Sequence, residues 1–131
     1  MNNELMSIRA MCVAFDVTPR TLRFYEQKEL LFPIRDGQKR LFTRRDRARL
    51  KLIIRGKKFG VSLEEIRQLL DLYDMDGQKH TQLQKTIDTA KRRLAEMLLQ
   101  RAELENGIAE LSAAIAEGER IGSAERAKSA A

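Results

Sequence analysis

The chain has 131 residues, 25 Lys and Arg against 19 Asp and Glu, a formal net charge of +6, one Cys, one His and no Trp. That length accommodates one domain with an appendage and excludes a second full domain. No run approaches the ~20 consecutive apolar residues of a bilayer-spanning helix, no apolar stretch with a cleavage site opens the chain, and one cysteine cannot form an internal disulfide, so the expectation is a cytoplasmic protein held together by packing.

The charge is unevenly placed. Residues 1–60 hold 15 basic and 6 acidic side chains, residues 61–131 hold 10 and 13, and Arg35 to Lys58 alone carries 11 basic residues. Such a density favours a polyanionic partner over a merely solvated face. A membrane surface fits less well, because turn residues and β-branched or aromatic positions interrupt the basic region before it can form one long amphipathic helix.

In chain order, Ser7 stands before Ile8, Met11, Cys12 and Phe15, whose spacing predicts a short helix with one apolar face and a serine cap. Asp16 and Val17 lead to Thr18 and Pro19, a hydroxyl cap followed by proline at the first helical position, where its missing N–H costs nothing. A second helix is therefore predicted from about Pro19 to Lys28. Two short helices joined by a turn of about three residues, the second carrying Arg20, Thr21 and Arg23, have the form of a helix-turn-helix that lays its second helix in a DNA major groove.

Pro33 bars continuation, and Ile34 to Thr43 reads as a hairpin turning at Asp36, Gly37 and Gln38, with Lys39 and Arg40 at its tip and second strand. Thr43 and Asp46 have capping-box spacing and open a third helix, with Leu50, Ile53 and Ile54 facing inward and a stop near Gly56 to Gly60. Ser62 and Glu65 repeat the box ahead of a fourth helix with Leu63, Ile66, Leu69, Leu70 and Tyr73 inward. After the turn-prone Asp74 to Gly77 the apolar positions alternate in steps of four and three: Leu83, Ile87, Ala90, Leu94, Met97, Arg101, Leu104, Ile108, Leu111 and Ile115. Such a stripe on a helix of roughly 35 residues is too long for the rest of the chain to cover, so it predicts a second copy. Arg101 interrupts it, either setting the register or extending past the seam into solvent. From Gly118 onward a frayed tail is expected. The fold class read from the pattern is all-α with a small β-hairpin wing, a winged helix-turn-helix over residues 6–75 followed by a long dimerisation helix over 78–118 and a flexible tail over 119–131.

Three segments in this order resemble the MerR-type transcriptional regulators: Thr18 Pro19 Arg20 Thr21 Leu22 Arg23 Phe24 Tyr25 Glu26, then Arg40 Leu41 Phe42 with Asp46, then Gly60 Val61 Ser62 Leu63 Glu64 Glu65 Ile66. Within that family, the run from Asp46 to Lys57 and the Leu72 Tyr73 Asp74 ending look most like regulators of branched-chain amino acid and acyl-CoA catabolism. The resemblance implies an antiparallel coiled coil that sets two winged domains on a pseudo-palindromic promoter and distorts its spacer for RNA polymerase. Such a distortion costs a few kcal/mol and has to be offset by phosphate contacts. Carried over by position, Arg20, Thr21 and Arg23 lie at or near base edges, Tyr25, Lys39, Arg40, Lys57, Lys58 and Ser62 lie along the backbone, and Thr18 and Phe42 complete the expected DNA-binding set. The alternatives are that Arg23 orients Glu26 or Glu29, and that Tyr25 belongs to the core. Phe42 stands where many members have Tyr, which removes one hydroxyl contact.

The family's metal- and redox-sensing members place several cysteines around the long helix. This sequence has only Cys12, expected to pack as a small hydrophobe, so no metal or other cofactor is expected. The resemblance leaves room for a small-molecule effector whose chemistry the sequence does not name. No nucleophile stands beside a base and no glycine loop cradles a phosphate, so catalysis is not expected. Two other readings compete: a DNA-architectural or recombination accessory protein built on the same winged domain, and an RNA-binding interaction module. The second is weakened because aromatic stacking platforms are few, with Phe15, Phe59 and Tyr73 expected to be buried.

Overall fold

A computed structural model describes residues 4–73 and 79–130. Its contacts divide the chain into two units, Met1–Ala90 and Lys91–Ala131.

The first unit begins with a two-residue strand, β1 (Met6–Ser7), that the sequence pattern did not announce, and passes directly into α1 (Ile8–Phe15). Ser7 caps α1 as expected, its Oγ accepting from the Ala10 N–H at 3.1 Å. The helix stops at Asp16, which takes a left-handed conformation (φ 53°) that Asp tolerates better than bulkier residues. The three-residue turn Asp16, Val17, Thr18 leads to α2 (Pro19–Gln27), and Thr18 Oγ1 accepts from the Thr21 N–H at 3.2 Å.

Strands β2 (Ile34–Asp36) and β3 (Lys39–Phe42) form the expected hairpin, and β1 adds to the other side of β3, giving a three-stranded antiparallel sheet in the order β1-β3-β2. Arg35 faces Arg40 and Asp36 faces Lys39 across the ladder. Gly37, at φ +63°, takes the first central position of the two-residue loop, where a type II′ turn requires positive φ.

Thr43 and Asp46 close a full capping box on α3 (Arg44–Lys58). Helix α3 ends at Lys58, inside the Gly56 to Gly60 stretch where the sequence puts its stop. A Cβ built on Gly56 would lie 2.7 Å from Ile66 Cδ1, so this glycine lets α4 (Leu63–Tyr73) pack close to α3. Met11, Leu22, Leu30, Leu31, Phe42, Leu50 and Ile53 are fully excluded from solvent, with Ile66, Leu70 and Tyr25 completing the core. Cys12 and Phe15 pack half-buried at its edge, whereas Phe59, expected inside, is half-exposed. The expected turn at Asp74 to Gly77 and the inward side chain of Tyr73 lie outside the described residues.

Helix α5 (Lys79–Ala130) has 52 residues, about 78 Å at 1.5 Å per residue. It is longer than the sequence suggests, because the residues expected to fray after Gly118 continue the helix to Ala130. Ala, Glu, Arg and Lys are good helix formers, no proline intervenes, and extending an existing helix avoids the cost of nucleation. In the second unit Leu94, Met97, Leu104, Ile108, Leu111 and Ile115 of the stripe are exposed, as are Leu98, Leu99 and Ile121, which the stripe did not include. Among the described residues no helix is long and apolar enough to cross a membrane.

Candidate nucleic-acid interface

Helix α2, expected from the sequence to enter the major groove, is short, and its outer face is polar apart from the exposed Phe24. Thr18, Arg20 and Arg23 are exposed and Thr21 is half-exposed. Thr18 and Thr21 hydroxyls share a hydrogen bond of 2.9 Å, which ties two of the expected DNA-binding positions to the cap of the helix itself. Arg20 and Arg23 carry no ion pair among the described residues, so the alternative in which Arg23 orients Glu26 or Glu29 has no counterpart here. On the opposite face Leu22 and Tyr25 anchor α2 in the core.

Glu26 is instead taken by the wing. Arg35 Nη2 donates to Glu26 Oε2 at 2.9 Å and Arg40 Nε donates to Glu26 Oε1 at 2.6 Å. Burial alone would raise the Glu26 carboxyl pKa, but hydrogen bonds and charge from Arg40 and Arg35 outweigh burial and hold it below the ordinary glutamate value. Lys39, at the hairpin end, is exposed, and Arg40 is only 22% exposed at its side chain because it lies along this contact.

Two sequence-predicted contact residues are placed inside. Phe42 is completely buried at the end of β3, so its side chain belongs to the core and is not available to DNA: the alternation of the strand turns it inward opposite Met6. Tyr25 is 8% exposed, and burial raises its hydroxyl pKa. Lys57 and Lys58 are exposed at the end of α3, and the reversal from Lys57 to Ser62 is closed by bonds from Gly60 N to Lys57 O and from Val61 N to Gly56 O. Ser62 accepts from the Glu65 N–H at 3.1 Å, so its hydroxyl caps α4 beside those lysines. The predicted residues therefore form two groups, α2 with the wing and the α3–α4 corner.

Sequence reasoning assigned the dense basic run to a polyanion, and the structure uses part of it internally. Arg49 is 2% exposed, donates to the Leu30 carbonyl at 2.7 Å and lies 5.3 Å from the Phe32 ring centroid. Arg47 donates to the Glu4 carbonyl, and beyond the run Arg67 donates to the carbonyls of Lys28 and Glu29 just past the end of α2. Asp46, also buried, accepts from Phe32 N, Thr43 N and Thr43 Oγ1, so a single carboxylate caps α3 and fixes the loop after α2. Only the Thr43 and Asp46 spacing signalled any of this. A basic residue aimed at a carbonyl distant in sequence leaves no local pattern to read.

Comparison with known proteins gives the family. Residues 6–72 match the model of the MerR HTH family regulatory proteins, and residues 47–117 match a second model, MerR, DNA binding. The HTH-type transcriptional regulator ZntR of Escherichia coli K12 is 38% identical over 93 residues, 70% of this chain, and the chain spans 64% of that relative's length. Among solved structures, PbrR691 from Ralstonia metallidurans CH34, a transcription regulator in complex with lead(II), matches with a TM-score of 0.50 and 31% identity over 77% of this chain and 83% of that one. HiNmlR, a MerR family regulator lacking the sensor domain and bound to promoter DNA, shares the fold with a TM-score of 0.59 at 23% identity, covering 77% of this chain and 79% of that one. The chain belongs to the MerR family of helix-turn-helix regulatory proteins.

Proposed function

We propose that the chain is a dimeric, sequence-specific DNA-binding transcriptional regulator without enzymatic activity, which grips a pseudo-palindromic promoter through two winged domains over residues 6–75 and distorts the spacer between them. The observation that carries this reading is the outward face of α2: Arg20 and Arg23 project from a helix whose other face is locked into the core. Arginine in that position can pair bidentately with guanine, and an exposed Lys39 in the wing with Lys57 and Lys58 at the α3–α4 corner supplies phosphate contacts. The uncovered apolar stripe on α5 supports pairing with a second copy along residues 78–118, where the family resemblance favours the antiparallel arrangement.

Sensing of soft metals draws on several thiolates. The one cysteine of this sequence, half-buried in α1, supports a regulator that works without such a metal. The family resemblance alone supports a catabolic operon as the target and RNA polymerase as a partner at the same promoter.

Selection from a random duplex library followed by footprinting tests the reading. One spaced inverted repeat should be enriched and protected, and Arg20→Ala should weaken binding by about 1–3 kcal/mol and relax the preference at one position of each half-site. Protection of many loosely related sites would instead identify an architectural protein.

A further inference from the structure

Glu26 sits in the last turn of α2, where a carboxylate opposes the helix macrodipole and gains nothing locally. Its partners explain its presence. Arg35 and Arg40 are directly opposed across the β2–β3 ladder, an arrangement in which like charges repel. Glu26 reaches both, one carboxylate oxygen for each guanidinium, at 2.9 and 2.6 Å. Glu26 at 21% and Arg40 at 22% exposure are partly withdrawn from solvent, so that pair is screened less than a surface contact, whereas Arg35, at 51%, forms the more exposed arm. No other side-chain bond among the described residues joins the recognition helix to the wing.

We infer that Glu26 is a positioning residue that sets the specificity of DNA binding without touching DNA, by clasping the two wing arginines to the recognition helix. The clasp has two consequences. It fixes the wing against α2 before DNA arrives, so that a correct site meets a preorganised surface and no ordering cost remains. It also engages two guanidiniums that would otherwise pair with any phosphate, which lowers affinity for unrelated sequences. This inference rests on the DNA-binding reading above and adds the element that separates correct from incorrect duplexes.

The experiment uses the full chain, a 40-bp random-sequence duplex, and the duplex enriched by the native protein from a random library. Glu26→Gln keeps the shape of the side chain and removes its charge. It should bind the random duplex about three- to tenfold more tightly, steepen the salt dependence by about one to two units of slope as the released arginines displace counterions, and lower the ratio of selected to random affinity by about tenfold. A second variant, Arg35→Gln, removes a guanidinium held on Glu26, and should change the random-duplex slope by less than about half a unit.

An unchanged slope for Glu26→Gln overturns the clasp, whether or not the ratio falls, because a purely structural role lowers the ratio without releasing charge. A loss of about one unit of slope in Arg35→Gln also overturns it, since that arginine would then already be on the phosphates. If the native protein enriches no sequence at all, the DNA-binding reading itself fails. If it enriches one and Glu26→Gln discriminates equally well, only the clasp fails.

Discussion

The two units of the chain handle apolar surface in opposite ways. In residues 4–90, Met11, Leu22, Leu30, Leu31, Phe42, Leu50 and Ile53 are completely buried, and the polar groups buried with them, Asp46 and Arg49, are bonded to backbone. In the second unit, Leu94, Met97, Leu98, Leu99, Leu104, Ile108, Leu111, Ile115 and Ile121 are each at least 41% exposed on one helix. The first region closes a core of its own, although Leu83 and Ile87, where the stripe begins, are exposed in it. The second leaves its packing to another molecule, and a stripe at four and three spacing commits that molecule to being a helix. Stability in the winged unit should therefore be a property of one chain, and stability in distal α5 a property of protein concentration.

The sharpest way to break that contrast is to charge the stripe. Leu104→Glu should give monomers by sedimentation while leaving the thermal unfolding of the winged unit in place. Binding to a two-half-site duplex should fall by about a hundredfold or more, because the second half-site is no longer held at high effective concentration. A dimer that survives the substitution would move the interface off this face. Asp46→Ala attacks the other side of the comparison. It removes the acceptor of two backbone N–H groups and a hydroxyl inside the winged unit, and should cost about 2–4 kcal/mol in urea unfolding, against about 1 kcal/mol for an ordinary exposed cap.

Gly56→Ala sharpens the comparison by a smaller amount. On a solvent-facing helix the change would stabilise by up to about 1 kcal/mol. Here the added methyl would meet Ile66 Cδ1 and Cγ1 at 2.7 and 2.8 Å, and Ile66 is itself buried, so a net loss of about 1 kcal/mol in thermal unfolding is expected. Ile66→Val in the same chain removes Cδ1 and keeps Cγ1, so it should recover part of that loss, which a simple sum of the two changes would not give. The same Gly-to-Ala change at Gly107, where nothing lies within 4 Å, should stabilise α5.

These residues also mark where the sequence is legible. Caps at Ser7, Thr18, Thr43 and Ser62, the proline opening α2, the hairpin glycine and the heptad stripe are all local signals, and the structure places each where its spacing puts it. The outward placement of the arginines of α2 follows from the same local reading. What the pattern did not carry is long-range: Phe42 buried in a basic segment, Arg49 and Arg67 turned to carbonyls 19 and 38 to 39 positions away, and Glu26 joined to two arginines of the wing. A cation that meets a phosphate and one that holds a loop have the same sequence signature, and only the fold separates them.

That separation yields the smallest effect and the most direct one. Lys39 and Arg40 are neighbours on one strand and equal in charge, but Lys39 is exposed at the hairpin end and Arg40 donates to Glu26. Composition gives both the same weight on DNA, whereas the geometry does not. Lys39→Ala should weaken binding to selected and random duplexes alike and flatten the salt dependence by about one unit of slope, the signature of one lost phosphate contact. Arg40→Ala, which withdraws a guanidinium already neutralised in part, should flatten it by less than Lys39→Ala does while lowering discrimination more, because the wing then loses one of its two ties to α2. Equal slopes for the two variants would mean that Arg40 leaves Glu26 for the phosphate on binding, and the charge of the wing would then have to be counted in the bound state only.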